Sequence, residues 1–105
     1  GTGTGNNDAS ESAAFLRLFG DSVPPFSSTK GYTGHTLAAA GGVEAVLSVL
    51  AIKKGCRYPN LNFATPSPEY GLIPVLKYEN DVLVNSVLTN SFGFGGNCSS
   101  LLFTR

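Results

Sequence analysis

The chain has 105 residues, of which 42% are hydrophobic and only 13% are charged, against roughly 25% charged residues in an average soluble domain. Seven Lys and Arg residues balance seven Asp and Glu residues without any basic cluster, which excludes nucleic acid as an expected partner. No apolar run approaches the roughly 20 residues of a membrane span, and no signal-peptide pattern opens the sequence. We therefore expect one domain or part of one, cytoplasmic, with much of its surface covered by other protein.

The first predicted element is a helix over residues 8–19. Asp8 and Glu11 have the spacing of a capping box, with an acidic N-cap and a Glu three residues later. Gly20 is a suitable residue to end the helix. The apolar positions that would form its buried face are Ala13, Ala14, Phe15, Leu18 and Phe19.

The second predicted helix spans residues 36–54 and is apolar nearly all round, which favours burial in a layered fold. Thr33 is a candidate N-cap, and Lys53 and Lys54 suit the negative end of the helix dipole. The Gly41-Gly42 pair costs roughly 1 kcal/mol per glycine relative to alanine, so it predicts a surface against which another backbone packs closely. The side expected to be buried consists of Leu37, Val43, Val46, Leu47, Leu50 and Ala51.

The remaining segments are predicted as strands and loops. A short strand is expected over 26–29, and β-rich runs over 82–89 and 101–104 predict a hairpin or neighbouring strands. Residues 57–79 are proline-rich and long for a loop in a compact domain, so we expect them to wrap another surface.

The only histidine, His35, ends the run Ser28–His35 directly in front of the second helix. An imidazole there can donate a hydrogen bond, bind a metal or shuttle a proton. Taken alone, a single histidine is more often a buried residue packed at a helix start. One His and two Cys without a Cys-x-x-Cys pair assemble no zinc site, so we expect no metal and no cofactor.

The two cysteines, Cys56 and Cys98, are expected to be reduced thiols rather than a disulfide framework. Cys98 is a poor candidate for a nucleophile because no base is positioned in its own segment.

Three glycine-rich loops, at 1–7, 30–35 and 91–96, allow positive φ angles and close approach of a ligand to the backbone. The opening GTGTG is a poor dinucleotide loop, since it lacks the full G-x-G-x-x-G spacing and a visible preceding strand.

In this order, however, the loops resemble the motifs of the β-ketoacyl-acyl-carrier-protein synthases, condensing enzymes of the thiolase-like fold. Residues 1–4 resemble the H-G-T-x-T loop without its histidine, and the family's T-x-x-x-D-x-x-E continuation falls on Thr4, Asp8 and Glu11. The signature S-S-T-K-x-x-x-G-H-x-x-x-A-A-G matches residues 27–41, and N-S-F-G-F-G-G matches 90–96 without a change. The resemblance runs across essentially the whole chain.

The resemblance implies the C-terminal half of a thiolase-like layered α/β/α fold, a mixed sheet with a buried central helix, over residues 1–105. It implies decarboxylating Claisen condensation in fatty-acid or polyketide synthesis. In that chemistry a cysteine of the N-terminal half takes an acyl group, and two histidine N–H groups stabilise the enolate formed from a malonyl thioester, much as an oxyanion hole does. His35 resembles one of these two histidines.

The resemblance also assigns roles to further residues, each with a simpler alternative. Lys30 resembles the family's lysine, which pairs with an acid at the position of Glu44; alternatively, Glu44 is a solvated helix residue. Thr2 and Thr4 resemble the threonines that bind the phosphopantetheine arm, or else serve turn chemistry. Phe94 resembles the gating phenylalanine, or else is a core aromatic. Asp8 and Glu11 are structural support, and their alternative is the capping box alone.

The implied partners are a phosphopantetheine-carrying acyl carrier protein and the absent N-terminal half, with a dimer expected in the intact enzyme. The isolated chain is expected to be inactive. An alternative is a non-catalytic ketosynthase-like subunit of a heterodimer, which the retention of Lys30 and His35 disfavours. A thiolase proper would want a Cys-x-G loop near its C-terminus, and residues 91–96 lack one.

Overall fold

The computed structural model describes residues 1–105, with three α-helices and two β-strands. A single 3-10 turn, Leu37–Ala39, precedes the third helix. The residues divide into two compact units, Gly1–Gly34 with Tyr58–Lys77 and His35–Arg57 with Tyr78–Arg105. The elements are α1 (Gly5–Phe19), α2 (Lys30–Thr33), α3 (Ala40–Lys54), β1 (Ser86–Phe92) and β2 (Cys98–Thr104).

Helix α1, in the first unit, begins earlier than the sequence pattern predicts. Its N-cap is Thr4, whose backbone is extended (φ −111°, ψ 135°), and Asp8 lies inside the first turn. The prediction of a capping box formed by Asp8 and Glu11 is therefore wrong, although a carboxylate in the first turn still suits the positive end of the helix dipole. The predicted end at Phe19 is confirmed.

The half-buried face of α1 packs through aromatic rings. The Phe15 ring lies edge-on to Phe19 at 6.4 Å and to Phe26 at 5.4 Å between centroids. Such pairs contribute about 0.5–1.5 kcal/mol beyond the area they bury. The prediction of the apolar face is wrong at Ala13 and Ala14, which are exposed, and at Leu18, which is 70% exposed. Leu16 is half-buried instead.

Extended segments of the first unit are joined by single backbone hydrogen bonds, and no regular strand forms over 26–29. The Val75 N–H donates to the Phe26 carbonyl at 2.9 Å, and the Asn60 N–H donates to the Val75 carbonyl at 2.7 Å. Residues 57–79 were expected to wrap another surface, but most of them, residues 58–77, pack with residues 1–34 in the first unit.

In the second unit, the helix predicted over 36–54 is not regular throughout. Leu37 has a left-handed backbone (φ 51°), so the regular helix begins only after Ala39, its N-cap. Thr33, the predicted cap, is instead the last residue of α2 in the first unit. The predicted end at Lys54 is confirmed, and Gly55 follows in the left-handed conformation (φ 62°, ψ 53°).

Strands β1 and β2 form a two-stranded antiparallel hairpin. Ser86 lies opposite Thr104, and Phe92 opposite Cys98. The predicted hairpin is confirmed, but a mixed sheet is not what these two strands form. Pairing runs further toward the turn than predicted, to Phe92 and Cys98, whereas residues 82–85 of the predicted first strand form no regular strand.

Helix α3 packs on the hairpin, and its buried residues lie in its C-terminal half. A Cβ placed on Gly41 would lie 3.2 Å from Ser91 Oγ, so the close approach predicted for the glycine pair is confirmed at Gly41. The predicted buried side is wrong at Leu37 (80% exposed), Val46 (60% exposed) and Leu50 (36% exposed). The buried residues are Ser48, Ala51 and Ile52 in the helix and Cys56 just after it.

None of the helices has both the length and the apolar character needed to cross a membrane.

Candidate active site

His35 begins the second unit, and its side chain is exposed. The interpretation as a buried core histidine is therefore wrong for this chain. The backbone N–H of Leu37 donates to His35 Nδ1 at 3.2 Å. A neutral imidazole has one donor nitrogen and one acceptor nitrogen, so a ring that accepts at Nδ1 carries its proton on Nε2. His35 is thus held as an outward hydrogen-bond donor.

Leu37 supplies that bond from an unusual backbone. A leucine with a φ of 51° occupies the left-handed region that L residues adopt at a cost of roughly 1–2 kcal/mol. Backbone strain of this kind concentrates at functional sites. The sequence gives no warning of it, because no glycine or asparagine marks the position.

Thr2 and Thr4 lie together in the first unit. Their Oγ1 atoms are 2.8 Å apart, so one hydroxyl donates to the other and the accepting hydroxyl keeps its own proton for another acceptor. Thr2 is half-buried and Thr4 is exposed. The pair can therefore present a donor to a carbonyl oxygen that approaches from solvent.

The carboxylates of Asp8 and Glu11 lie on either side of one amide. Asn7 Nδ2 donates to Glu11 Oε2 at 2.9 Å and lies 3.5 Å from Asp8 Oδ1. These contacts link side chains of the first two turns of α1, which is a supporting role.

Lys30 is the first residue of α2, a single helical turn. Its backbone N–H donates to Ser28 Oγ at 3.3 Å, and its carbonyl accepts the Gly34 N–H at 2.9 Å. Both bonds fix the backbone that carries the ammonium group. The pairing of Lys30 with Glu44 stays a prediction.

Glu44 is a half-buried residue of α3. Its carbonyl accepts a hydrogen bond from Ser48 Oγ at 2.7 Å, so a polar side chain in the buried half of the helix is satisfied. The alternative of a fully solvated Glu44 does not fit this half-buried position.

Phe94 lies in the turn between β1 and β2 and is completely exposed, so it is not a core aromatic in this chain. The Gly93 N–H donates to the Asn97 carbonyl at 2.8 Å, which closes the loop. Gly95 and Gly96 have φ angles of 86° and 87°, a region that favours glycine. The loop thus holds the large apolar side chain of Phe94 in solvent, next to glycines that adopt positive φ angles.

An apolar groove of about 530 Å³ runs along one side of α3 and the turn before it. This side of the helix does not face the hairpin, and Val46 stands 60% exposed on it. Exposing a contiguous apolar surface is unfavourable, and such patches mark surfaces that other groups cover. The lining residues are Ala38, Ala39, Gly42, Val43, Val46 and Leu47.

Beyond the C-terminal end of α3, the structure shows two contacts between residues distant in the sequence that the sequence did not predict. Arg57 and Glu79 pair through both backbone groups and through a side-chain ion pair of 2.8 Å. Beside them, a hydrogen bond to Cys56 raises the pKa of the Tyr78 hydroxyl above its ordinary value near 10, helped by desolvation and by the charges of Cys56 and Asp81. Such long-range pairs leave no periodic signal in the sequence.

The two cysteines occupy unlike positions. Cys56 is buried, and Cys98 is exposed at the first position of β2. No group of three or more His, Cys, Asp or Glu side chains lies close enough together to hold a metal ion.

Comparison with known proteins places these residues in a family. A model described as the C-terminal domain of β-ketoacyl synthases matches residues 1–64, which contain both threonines, Lys30, His35 and Glu44. The chain belongs to the β-ketoacyl synthase family. Its α/β architecture is consistent with a thiolase-like C-terminal domain.

Individual relatives are similar over nearly the whole chain. A mitochondrial 3-oxoacyl-acyl-carrier-protein synthase of Arabidopsis thaliana is 44% identical over 97% of the chain. The 3-oxoacyl-acyl-carrier-protein synthase 1 of Haemophilus influenzae is 38% identical, and synthase 2 of Coxiella burnetii 39% identical, each over all of it. The chain spans about a quarter of these relatives' own length, namely 23% to 26%.

Proposed function

We propose that this β-ketoacyl synthase domain is the C-terminal part of a 3-oxoacyl-acyl-carrier-protein synthase, which condenses an acyl group with a malonyl group on an acyl carrier protein in fatty-acid synthesis. The observation that carries the proposal is His35, exposed and holding its proton on Nε2 through the Leu37 bond. The similarity to relatives named 3-oxoacyl-acyl-carrier-protein synthases supports it.

In the proposed reaction, the bond between the malonyl carboxylate and its α-carbon breaks and CO2 leaves. The electron pair moves into the thioester as an enolate, whose oxygen gains negative charge. The Nε2–H of His35 donates to that oxygen, and one such donor typically lowers a barrier by about 3 kcal/mol. The enolate carbon then bonds to the acyl carbonyl carbon, and the thiolate of the acyl-carrying cysteine leaves.

Lys30 is proposed as the cation of this site. The half-buried carboxylate of Glu44 is the proposed partner of the lysine.

The threonine pair and Phe94 are proposed to act on the substrate. In the pair of Thr2 and Thr4, the hydroxyl that keeps its proton would donate to an amide carbonyl of the phosphopantetheine arm. The first turn of α1, which Asp8 and Glu11 stabilise, would support this loop. Phe94, between its glycines, would swing to open and close the acyl site, as mobile loop residues do in many enzymes.

The nucleophilic cysteine is proposed to lie outside residues 1–105. Cys56 is buried. Cys98 begins a strand, whereas a thiolate is activated at the N-terminus of a helix. The groove on α3 would be covered by the N-terminal half, and we propose a dimer of the intact enzyme. One relative carries the word mitochondrial in its name, so the cytoplasmic location stays a prediction.

The test is product formation by the full-length protein that contains this chain. Given acyl and malonyl carrier proteins, it should release one CO2 per 3-oxoacyl product, while residues 1–105 alone should form none. A full-length protein that binds a ketosynthase partner but forms no product would favour the non-catalytic subunit instead. Condensation by residues 1–105 alone would overturn the assignment of the nucleophile to another part of the protein.

A further inference from the structure

Ser28, two residues before Lys30, is a point of contact for three parts of the first unit. Its Oγ accepts the backbone N–H of Lys30 at 3.3 Å. Its own backbone N–H donates to Asn60 Oδ1 at 2.9 Å, across 32 residues of chain. A Cβ placed on Gly1 would overlap the Ser28 side chain, so the loop of residues 1–4 lies directly against it.

Asn60 is itself held rigidly. Its backbone N–H donates to the Val75 carbonyl at 2.7 Å, and its Nδ2 donates to the Leu61 carbonyl at 3.2 Å. With Nδ2 engaged, Oδ1 is fixed toward the Ser28 N–H. The side-chain amide thus continues the backbone pairing of Phe26, Val75 and Asn60 by one further hydrogen bond.

The next residue, Leu61, lies against Gly31, which follows Lys30. A Cβ on Gly31 would lie only 2.9 Å from Leu61 Cβ, closer than real Cβ contacts allow, so the two backbones approach as closely as a glycine permits. Asn60 and Leu61 therefore contact the residues that flank Lys30 on both sides. Neither residue belongs to the glycine-rich motifs.

We infer that Asn60 and Ser28 are positioning residues, which hold the backbone of Lys30 against the loop that carries Thr2 and Thr4. This inference rests on the proposed function, because it treats Lys30 as part of the condensing site. Two hydrogen bonds connect the Asn60 side chain to the Lys30 backbone. The Ser28 N–H donates to Asn60 Oδ1, and the Lys30 N–H donates to Ser28 Oγ. Loss of either bond removes one of the contacts that fix the Lys30 backbone, and an ångström of misplacement can lower a rate by about 100-fold.

The experiment uses the full-length protein and measures two steps separately, acyl-enzyme formation and CO2 release from malonyl carrier protein. Asn60→Ala and Ser28→Ala should each lower kcat for CO2 release about tenfold, part of the range for ångström-scale misplacement, with KM for the malonyl carrier and acyl-enzyme formation nearly unchanged. Asn60→Asp keeps an acceptor oxygen for the Ser28 N–H but loses the Nδ2 bond to the Leu61 carbonyl, so it should restore part of kcat relative to Asn60→Ala. Ser27→Ala, the same change at an exposed neighbour, is the matched control and should behave as wild type.

Four results would overturn the inference. Equal loss of both steps, together with a lowered melting temperature, would mean that Asn60 and Ser28 serve stability alone. Variants with wild-type kcat would show that Lys30 needs no such support, and a failure of Asn60→Asp to restore activity would show that the acceptor oxygen is not what matters. A wild-type protein that forms no product would refute the proposed function itself, and the inference with it.

Discussion

At His35, a single backbone hydrogen bond determines which ring nitrogen carries the proton. Since Leu37 N–H donates to Nδ1, the neutral ring should be the Nε2–H tautomer. His35 is the only histidine of the chain. Nitrogen NMR of residues 1–105 with the ring neutral therefore gives one pair of imidazole signals, one for each ring nitrogen. We expect an unprotonated Nδ1 and a protonated Nε2. A proton on Nδ1 would remove the donor on which the proposed chemistry depends.

At Tyr78, the hydrogen bond to Cys56 raises the pKa of the hydroxyl above 10. A raised folded-state pKa stabilises the protein below the unfolded value and stops doing so as the pH passes the folded value. We therefore expect stability to fall with rising pH above about 10, and to fall less steeply in Tyr78→Phe.

The tyrosinate absorbance tests the cause of this shift. Cys56→Ala should move one of the four tyrosines to a lower pH in an alkaline titration, because the hydrogen bond and the thiolate charge are both removed. Cys98→Ala, at an exposed cysteine, is the control and should leave the curve unchanged. An unchanged curve in Cys56→Ala would contradict the assignment.

At the scale of single elements, the position directly after α3 requires a glycine, Gly55, for two reasons. Its left-handed φ of 62° favours glycine, and a Cβ there would lie 2.8 Å from the Val82 carbonyl oxygen. We expect Gly55→Ala to lower the free energy of unfolding by at least about 1 kcal/mol, measured by denaturant titration.

Asparagine separates the two reasons. It tolerates the left-handed region better than alanine but still carries a Cβ. Gly55→Asn should therefore also destabilise the protein. If asparagine restored full stability, the backbone angle alone would account for the glycine, and the close approach to Val82 would carry no energy.

The hairpin turn makes a different prediction at Phe94. Its side chain is fully exposed, so Phe94→Ala should change the unfolding free energy of residues 1–105 by less than about 0.5 kcal/mol. In the full-length protein, the same change should alter turnover because the proposed gate is lost. Lowered stability of the chain with unchanged turnover would make Phe94 a packing residue.

The ends of elements show where sequence reasoning succeeds. The end of α3 was predictable because Lys53, Lys54 and Gly55 give local signals that act within one turn. Its start was not, because Leu37 adopts a strained backbone that its side chain does not favour. The start of α1 was misplaced because Asp8 has cap chemistry, whereas Thr4 is the residue with cap geometry.

The candidate site divides in the same way. The resemblance of the glycine-rich motifs to those of the family singled out His35, Lys30 and both threonines, and their roles stay predictions. Asn60 was not predictable, because its role depends on a contact across 32 residues that no local pattern encodes. Long-range polar contacts are set by the tertiary fold and must be read from the structure.

At the scale of the whole molecule, α3 has one side on the hairpin and another along an open apolar groove. A helix that is apolar nearly all round is stable in water only when both sides are covered. Together with a chain that spans about a quarter of its relatives' length, this favours a larger protein in which the groove is filled.

The measurement that tests the central claim most directly is CO2 release from malonyl carrier protein by the full-length protein and its His35 variants. His35→Ala should lower kcat by about 100- to 1,000-fold, the usual effect of removing one oxyanion donor, while acyl-enzyme formation persists. His35→Gln, whose amide can place a donor near the position of Nε2, should retain more activity than His35→Ala. CO2 release at the wild-type rate by His35→Ala would contradict the proposed role of His35 in stabilising the enolate.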